Sequence, residues 1–337
     1  MDRSVTDTRS NSVSVADRTR PVAAGAAVVD LHFLGSLPVF VLAEEHLLFA
    51  PADGEPRTVA VHDGAILSAA SDGRTIVTGG DDGRVVRTGA DGTVSVVATD
   101  PKRRWIDQVA MAGDGTVAWS AGKNASVHTG KAEKSVELPS TAGGLAFAPK
   151  GMRLAIAHYN GVSLWFPNTA AAPEMLPWKG SHLNVLFSPD GKYVMTAMQE
   201  AMLHGWRLAD RRDMRMSGYA TKVRSMGFTA GGRWLATSGA DQLILWPFTA
   251  KDGPMGKAPR MLAPAASLVV AVACHPRQEV VAIGYADGMV LLVRIEDGAE
   301  IVAKTPGPAP VTALAWDAVG TQLGFGTEDG QAGVVTL

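Results

Sequence analysis

The chain has 337 residues, of which 46% are hydrophobic and 19% are charged, and this composition is typical of a globular protein. Its formal net charge of −2 argues against nucleic acid as the main partner, because proteins that bind it usually carry a basic excess. Cys274 is the single cysteine, so a disulfide framework and a zinc cluster built from cysteines are excluded.

The first segment, residues 1–20, is polar and contains Asp2, Asp7 and Asp17. It lacks the apolar middle section of a secretory signal, and the chain has no apolar run of the length that spans a membrane. We therefore expect a flexible polar tail at 1–20, a cytoplasmic location and no membrane partner.

From residue 21 onwards one sequence pattern recurs, in which a short apolar strand, a tight turn and a second apolar strand follow each other. Clear copies are LAFAPKGMRLAIAH at 145–158, LFSPDGKYVMTAM at 186–198 and MGFTAGGRWLATSG at 226–239. A period near 40 residues with several strands in each unit indicates the blades of a β-propeller. Aligned on the first strand, the eight copies begin at Leu31, Leu67, Val109, Leu145, Val185, Met226, Val272 and Leu314.

The second unit shows the internal order most clearly. The segments AILSAA, RTIVTGG, RVVRTG and TVSVVAT are separated by the turns SDG, DDG and ADG, and Asp-Gly between apolar segments is a strong hairpin signal. The turn between the second and third strands recurs with the same spacing at Glu45, Asp82, Lys123, Asn160, Glu200, Asp241, Asp287 and Asp329. The sequence thus predicts an all-β fold, a single closed β-propeller of four-stranded antiparallel blades.

We expect eight blades over residues 21–337, with seven as the alternative. The last unit ends at Leu337 after its third strand, and the apolar segment PVAAGAA at 21–27 precedes the first unit. We therefore expect this N-terminal segment to supply the missing outer strand of the last blade, because an open ring would leave a strand edge unpaired.

The units resemble WD40 repeats, on the motifs FSPDGK at 187–192 and WLATSGAD at 234–241 and on SLW and ILW at strand ends. The resemblance implies turn acids and strand-ending tryptophans with structural roles. These residues are Asp82, Asp241, Asp287, Asp329, Trp165, Trp206 and Trp246.

The same family typically has a histidine before the first strand that joins a hydroxyl residue, an acid and a tryptophan. Thr78, Thr196 and Thr237 stand at the hydroxyl position, whereas His62 and His182 lie out of register in our alignment. The histidine position is instead filled by Ala60, Lys102, Trp178 or Tyr219. We therefore expect no blade to contain the complete network.

No motif in the sequence predicts catalysis. The eight histidines include no HExxH pair, no GxSxG nucleophile motif is present, and the glycine-rich stretch at 79–83 opens no helix that could hold a phosphate. We predict no catalytic residue, no metal site and no cofactor. The resemblance implies a non-catalytic scaffold, monomeric by itself, that binds another protein through its loops.

The predicted contact residues lie in loops that lead into first strands. Lys102, Arg103, Arg104 and Trp105 form the main group, with Trp178 and Tyr219 expected on the same face, because these residue types are enriched at interface hot spots. Two roles stay open: a turn acid could hold Arg104, and Trp105 could pack under the first strand of its unit.

Other contact sites and other functions also remain open. The long loop at 247–260 on the opposite face is the other candidate contact. The central channel could serve an enzyme or a binder of small molecules or metals. A local basic patch, formed by PKRRW at 101–105 with Lys222 and Arg224, could bind nucleic acid.

Overall fold

The computed structural model describes residues 13–337, and its fold is all-β. Helix in this range is limited to one 3-10 turn at Ala16–Arg18. Strands form because β-branched and small apolar residues alternate between short turns, a pattern that suits a pleated surface. Gly83 and Gly191, with φ of 80° and 72°, occupy left-handed positions in two of these turns.

The strands are short and follow each other closely in the chain. In chain order they are β1 Val13–Ser14, β2 Thr19–Ala23, β3 Val28–Leu34, β4 Leu37–Leu42, β5 His46–Phe49, β6 Arg57–Ala60, β7 Ile66–Ser71, β8 Thr75–Gly80, β9 Arg84–Gly89, β10 Val94–Thr99, β11 Ile106–Met111, β12 Val117–Ala121, β13 Asn124–His128, β14 Glu133–Glu137, β15 Ala142–Phe147, β16 Leu154–Trp165, β17 Glu174–Phe187, β18 Tyr193–Met198, β19 Met202–Arg207, β20 Arg212–Ser217, β21 Met226–Phe228, β22 Trp234–Thr237, β23 Leu243–Pro247, β24 Arg260–Leu262, β25 Val269–Cys274, β26 Val280–Tyr285, β27 Val290–Arg294, β28 Glu300–Lys304, β29 Val311–Trp316, β30 Gln322–Thr327 and β31 Gln331–Thr336.

These strands form seven hydrogen-bonded sheets arranged as a β-propeller. Four sheets are simple antiparallel meanders, namely β3–β6, β7–β10, β11–β14 and β21–β24. The sheet of β25–β28 gains β1 as a fifth, parallel strand, and β29–β31 gain β2. The remaining sheet contains the six strands β15–β20.

The six-stranded sheet contains two repeats of the sequence. Within β16, His158 Nε2 lies 2.9 Å from Ser163 Oγ, although five extended residues would span about 16 Å. The strand therefore folds back at Asn160, whose φ is 69°. β17 pairs with β16 through Glu174–Pro177 and with β18 through His182–Phe187. The structure thus has seven hydrogen-bonded sheets, the count kept as the alternative, and the expected eight corresponds to the sequence repeats, two of which share this sheet.

The two ends of the described chain meet in one sheet. β2 pairs antiparallel with β31, with Val22 opposite Ala332. Val22 also belongs to a buried cluster that joins the last and first units and includes Phe40 and Val334. The outer strand expected within 21–27 therefore lies at Thr19–Ala23.

The polar tail predicted for residues 1–20 is too long. Val13 pairs with Ile301 in parallel, and the Val15 amide donates to the Val302 carbonyl at 2.9 Å. The Val15 side chain is 7% exposed and packs in the core, a contact that polar composition alone does not reveal. Residues 1–12 of the predicted tail lie outside the described residues.

The core lies between neighbouring units. In one such layer Val77 and Val85 of the second unit pack against Ile106 and Val117 of the third, all fully buried. Each such side chain contributes about 1.5–3 kcal/mol on burial. The three strand-ending tryptophans are also buried, with exposures of 5% for Trp165, 2% for Trp206 and 8% for Trp246.

Candidate functional site

The loop at 100–105 connects β10 to β11 and is organised by Asp100. The Asp100 carboxylate accepts hydrogen bonds from the amides of Lys102 and Arg104 at 2.9 and 3.1 Å. It also pairs with the Arg104 guanidinium at 2.7 Å, and Arg104 Nη1 donates to Asn124 Oδ1 at 3.2 Å. The bond from Arg104 is the main reason why the pKa of Asp100 lies below its usual value. Arg104 therefore fixes the loop, the alternative role that the sequence left open.

The same loop presents three side chains to solvent. Lys102 and Arg103 are exposed, and Trp105 is 61% exposed, so Trp105 does not pack under the first strand of its unit. Arg103 has a φ of 50°. A Cβ added to Gly83 would lie 2.8 Å from the Arg103 Cα, so the two backbones are in close contact. The backbone beneath these side chains is therefore held by the neighbouring turn.

Trp178 lies at a separate place, between the fourth and fifth units. Its ring stacks on that of His204, with centroids 4.0 Å apart and an angle of 17° between the planes. The Arg215 guanidinium lies 5.9 Å from the Trp178 ring centroid. Trp178, the exposed Tyr159 and Glu200 line a surface cavity of about 470 Å³, which falls in the size range of small ligand pockets. Besides the exposed Trp105, the propeller surface thus has a second aromatic site, the cavity lined by Trp178 and Tyr159.

Tyr219 lies below the surface and not on it. The Tyr219 side chain accepts a hydrogen bond from Trp246 Nε1 at 2.7 Å and is 2.8 Å from Thr237 Oγ1. Burial is the main cause that raises the pKa of Tyr219 to about 12. Tyr219 therefore connects the second and third strands of its unit, as the histidine does in the family network.

The structure brings together four of the six predicted contact residues. Lys102, Arg103, Arg104 and Trp105 share one loop between the second and third units. Trp178 belongs to the connection between the fourth and fifth units, and Tyr219 precedes the first strand of the sixth. Lys102, Arg103 and Trp105 are therefore the exposed members of the predicted set that share one loop.

The second unit contains a network that the sequence alignment missed. His62 Nε2 lies 2.8 Å from Thr78 Oγ1, and His62 Nδ1 lies 3.0 Å from Asp82 Oδ1. Burial raises the pKa of Asp82, but hydrogen bonds from the amides of Asp63 and Arg84 outweigh this effect and hold it well below its usual value. His62 is thus in register with its unit, although Thr88 in the third strand takes the place of the tryptophan.

Two other turn acids, Asp287 and Asp329, hold their own turns. Asp287 Oδ1 accepts from the Met289 amide at 3.1 Å, and Asp329 Oδ1 accepts from Thr327 Oγ1 at 2.5 Å. Asp241 is exposed, and its carbonyl accepts from the Ala265 amide at 2.8 Å. Among residues 13–337 no group of three or more His, Cys, Asp or Glu could hold a metal ion.

The loop at 247–260 is fastened to the neighbouring unit. Tyr193 Oη donates to the Lys251 carbonyl at 2.8 Å, and Arg207 Nη1 pairs with Asp252 Oδ1 at 2.6 Å. The Phe248 ring packs edge-on against the rings of Tyr193 and Phe228. Much of this loop is thus part of the contact between the fifth and sixth units.

Comparison with known proteins supports the fold. The family described as WD domain, G-beta repeat matches residues 55–87, the span that contains His62, Thr78 and Asp82. The crystal structure of the computationally designed Ika8 protein is similar over 93% of this chain and 96% of that chain, with a TM-score of 0.76 and 17% identity. At that identity the likeness extends to the fold alone. A search of the curated proteins finds no match. Within residues 13–337 no helix is long and apolar enough to cross a membrane.

Proposed function

We propose that this β-propeller, which carries a WD40 repeat at residues 55–87, is a non-catalytic scaffold that binds another protein through the loop at 100–105. The observation that carries the proposal is Trp105, which is 61% exposed beside the exposed cations Lys102 and Arg103. A tryptophan offers a large contact area with few rotamers, and tryptophan and arginine are enriched at interface hot spots.

The fixed backbone of the loop favours binding. Asp100 holds the amides of Lys102 and Arg104, so little backbone freedom remains to be lost when a partner docks. Within the described chain, the side chains of Lys102 and Arg103 take part in no ion pair. The matching surface on the partner therefore presents carboxylates around an apolar centre.

The test is affinity capture from the native cell at moderate salt, followed by mass spectrometry. The wild-type chain is compared with Lys102→Glu/Arg103→Glu and, separately, with Trp105→Ala. Each variant should lose the captured partners while melting like the wild type, since the replaced side chains face solvent. Hot-spot residues cost about 2 kcal/mol or more when truncated, which is roughly a thirtyfold loss of affinity.

The matched control is Lys131→Glu/Lys134→Glu, which makes the same charge change at exposed positions in the hairpin of β13 and β14. Lys131 lies in a turn between third and fourth strands, at the opposite end of the blade from the loop at 100–105. If both double variants lose the partners equally, net charge decides binding and the proposed face is wrong. If Trp105→Ala and Lys102→Glu/Arg103→Glu both keep their partners, the proposal fails.

The proposal also covers the oligomeric state and the cellular location of the protein. We propose a monomer in the cytoplasm, with the single Cys274 free and half-buried as in a reducing compartment. Light scattering during size-exclusion chromatography measures the mass, for which 35.2 kDa is expected for one chain. A dimeric mass, or a fluorescent fusion found outside the cytoplasm, would overturn this part.

A further inference from the structure

A cavity of about 720 Å³ opens at the inner edge of the propeller, where the first strands of neighbouring units meet. β25 contacts β29, and β29 contacts β3, so these three strands stand side by side around the axis. The cavity is lined by Val29 of β3, Val270 of β25 and Thr312 of β29, and by the segment at 221–225 that leads into β21. Its volume lies within the range of about 300–1,000 Å³ that is usual for ligand pockets.

A recurrent bulge turns one residue out of the ladder in seven of the eight first strands. The pairing register shifts at the same position in seven of these strands. The eighth first strand, β21, has no such shift, but Arg224 stands two residues before Met226, just as the bulged Val270 stands two residues before Val272. Such bulges re-aim a side chain, and Val29 and Leu67 are 45% and 38% exposed there. The bulged residues are Val29, Leu67, Asp107, Gly143, Leu183, Val270 and Thr312.

The hydroxyl groups that line the cavity are already used by the fold. Ser225 Oγ accepts from the Val272 amide at 3.0 Å and lies 3.2 Å from the Val272 carbonyl. Thr312 Oγ1 donates to carbonyl oxygens of Val28 and Gly326. The bonds to Val272 and Val28 join one unit to the next. Because these hydroxyl groups are occupied, the charged side chains are the groups left for a ligand.

Two cations and one carboxylate line the cavity. Lys222 is half-buried and Arg224 is exposed, while Val223 between them is 2% exposed and anchored in the core. Within residues 13–337 the side chains of Lys222 and Arg224 take part in no ion pair and no hydrogen bond, in contrast to Arg104 and Arg207. Since Glu328 is the one lining carboxylate, the cavity carries a net positive charge between apolar walls.

We propose that this cavity binds a small amphipathic organic anion, with its acidic group on Lys222 and Arg224 and its apolar body against Val29, Val270 and Leu314. Arginine suits this task because its planar fork matches a carboxylate or phosphate, and lysine adds a second, mobile donor. The site lies on the sixth, seventh, eighth and first units, away from the loop at 100–105. It therefore goes beyond the proposed function and does not depend on it.

The test uses a pair of fluorescent probes that differ in charge and share an apolar body. 8-Anilinonaphthalene-1-sulfonate is the anion, and N-phenyl-1-naphthylamine is its uncharged counterpart. The full chain should bind the anion saturably with one site, and Lys222→Gln/Arg224→Gln should weaken this binding about tenfold or more, because charge-assisted hydrogen bonds are lost. Binding of the uncharged probe should stay unchanged in that variant.

Controls keep the proposal open to refutation. Lys131→Gln/Lys134→Gln should bind both probes like the wild type, and each variant is first shown to melt like the wild type. Equal affinity of the anionic probe for the wild type and Lys222→Gln/Arg224→Gln would overturn the proposal, as would the absence of a saturable site. Displacement of the anionic probe by equal concentrations of inorganic phosphate would also overturn it, since an apolar body would then be unnecessary. None of these outcomes depends on partner capture through Trp105.

Discussion

Tyr219 and His62 perform the same structural task with different chemistry. Each stands before the first strand of its unit and contacts the second-strand threonine at 2.8 Å, Thr78 for His62 and Thr237 for Tyr219. The phenol oxygen can also accept from an indole N–H, and Trp246 supplies one. Tyr219 was predicted at the surface because its residue type is common in interfaces, but its hydroxyl finds both partners inside the unit.

Removing the Tyr219 hydroxyl should therefore destabilise the protein. Tyr219→Phe leaves the Trp246 indole N–H buried without an acceptor, and an unpaired buried donor costs about 1–3 kcal/mol. Urea unfolding followed by tryptophan fluorescence measures the change. Tyr159→Phe is the matched control, because the Tyr159 ring is 53% exposed, and it should leave stability within about 0.5 kcal/mol of the wild type. Equal stability of both variants would contradict the assigned role.

His204 makes stability depend on pH. Its ring is fully buried between Trp178 and Trp206, and neither ring nitrogen has a hydrogen-bond partner. Burial, followed by His182 and Arg215, lowers the pKa of His204 to about 3 from 6.5. The unfolded chain therefore binds one proton more than the folded chain between these values, and stability falls as the pH drops from 6.5 towards 3.

Replacing this histidine should flatten the acid side of the stability curve. His204→Phe should reduce the slope of the unfolding free energy by about 1.4 kcal/mol per pH unit between about pH 4 and 6, the effect of one proton. Burial also lowers the pKa values of His62, His158 and His182, so part of the slope should persist. Urea unfolding at several pH values measures the slope, with His128→Phe as control. A slope that His204→Phe leaves unchanged would show that folding does not lower the pKa of His204.

The Asp100 loop shows which features of the candidate site follow from the sequence and which do not. Lys102, Arg103 and Trp105 could be picked out from their types and their position before a first strand. That Arg104 turns inwards depends on Asp100 and on Asn124 from another strand, and such contacts leave no local signal. The stacking of Trp178 on His204 is equally non-local, because it needs the register of β17 and β19.

At the scale of strands, the recurring turn residues made the repeats predictable. The bulges, however, led to an error in the alignment of the repeats. The second unit was aligned on Leu67, yet Leu67 is the bulged residue and Ala69 pairs with Thr78. This error of register also placed His62 outside its network. Likewise, the parallel pairing of Val13 with Ile301 could not be predicted, because two residues carry no periodic signal.

The strand β2 should be essential to the join between the first and last units. Deleting residues 1–18 removes the short β1 and the buried Val15 but keeps β2, so the protein should stay monomeric with a lower melting temperature. Deleting residues 1–23 also removes Val22 and the partner of β31, which leaves an unpaired edge that favours aggregation. Light scattering and thermal melts measure both effects. If the two truncations are equally monomeric and equally stable, β2 does not hold the ring together.

In the whole molecule, the propeller is a frame that holds its surface loops apart. The loop at 100–105 lies at one end of its blade, the turn around Lys131 lies at the other, and the loop at 247–260 is tied to the fifth unit by Arg207 and Asp252. Stability comes from apolar layers between units, such as that of Val77 and Ile106, so surface loops can vary without loss of the frame. Exposed side chains, and not the fold, therefore determine what such a propeller binds.

The most direct test of the central claim is hydrogen exchange of the full chain, free and in complex with its captured partner, read by mass spectrometry. Binding through Lys102, Arg103 and Trp105 should slow exchange in peptides that cover 100–106. Exchange at 129–134 and 247–260 should stay as in the free protein, because those segments lie elsewhere on the propeller. Slowing confined to 247–260, with no change at 100–106, would contradict the account.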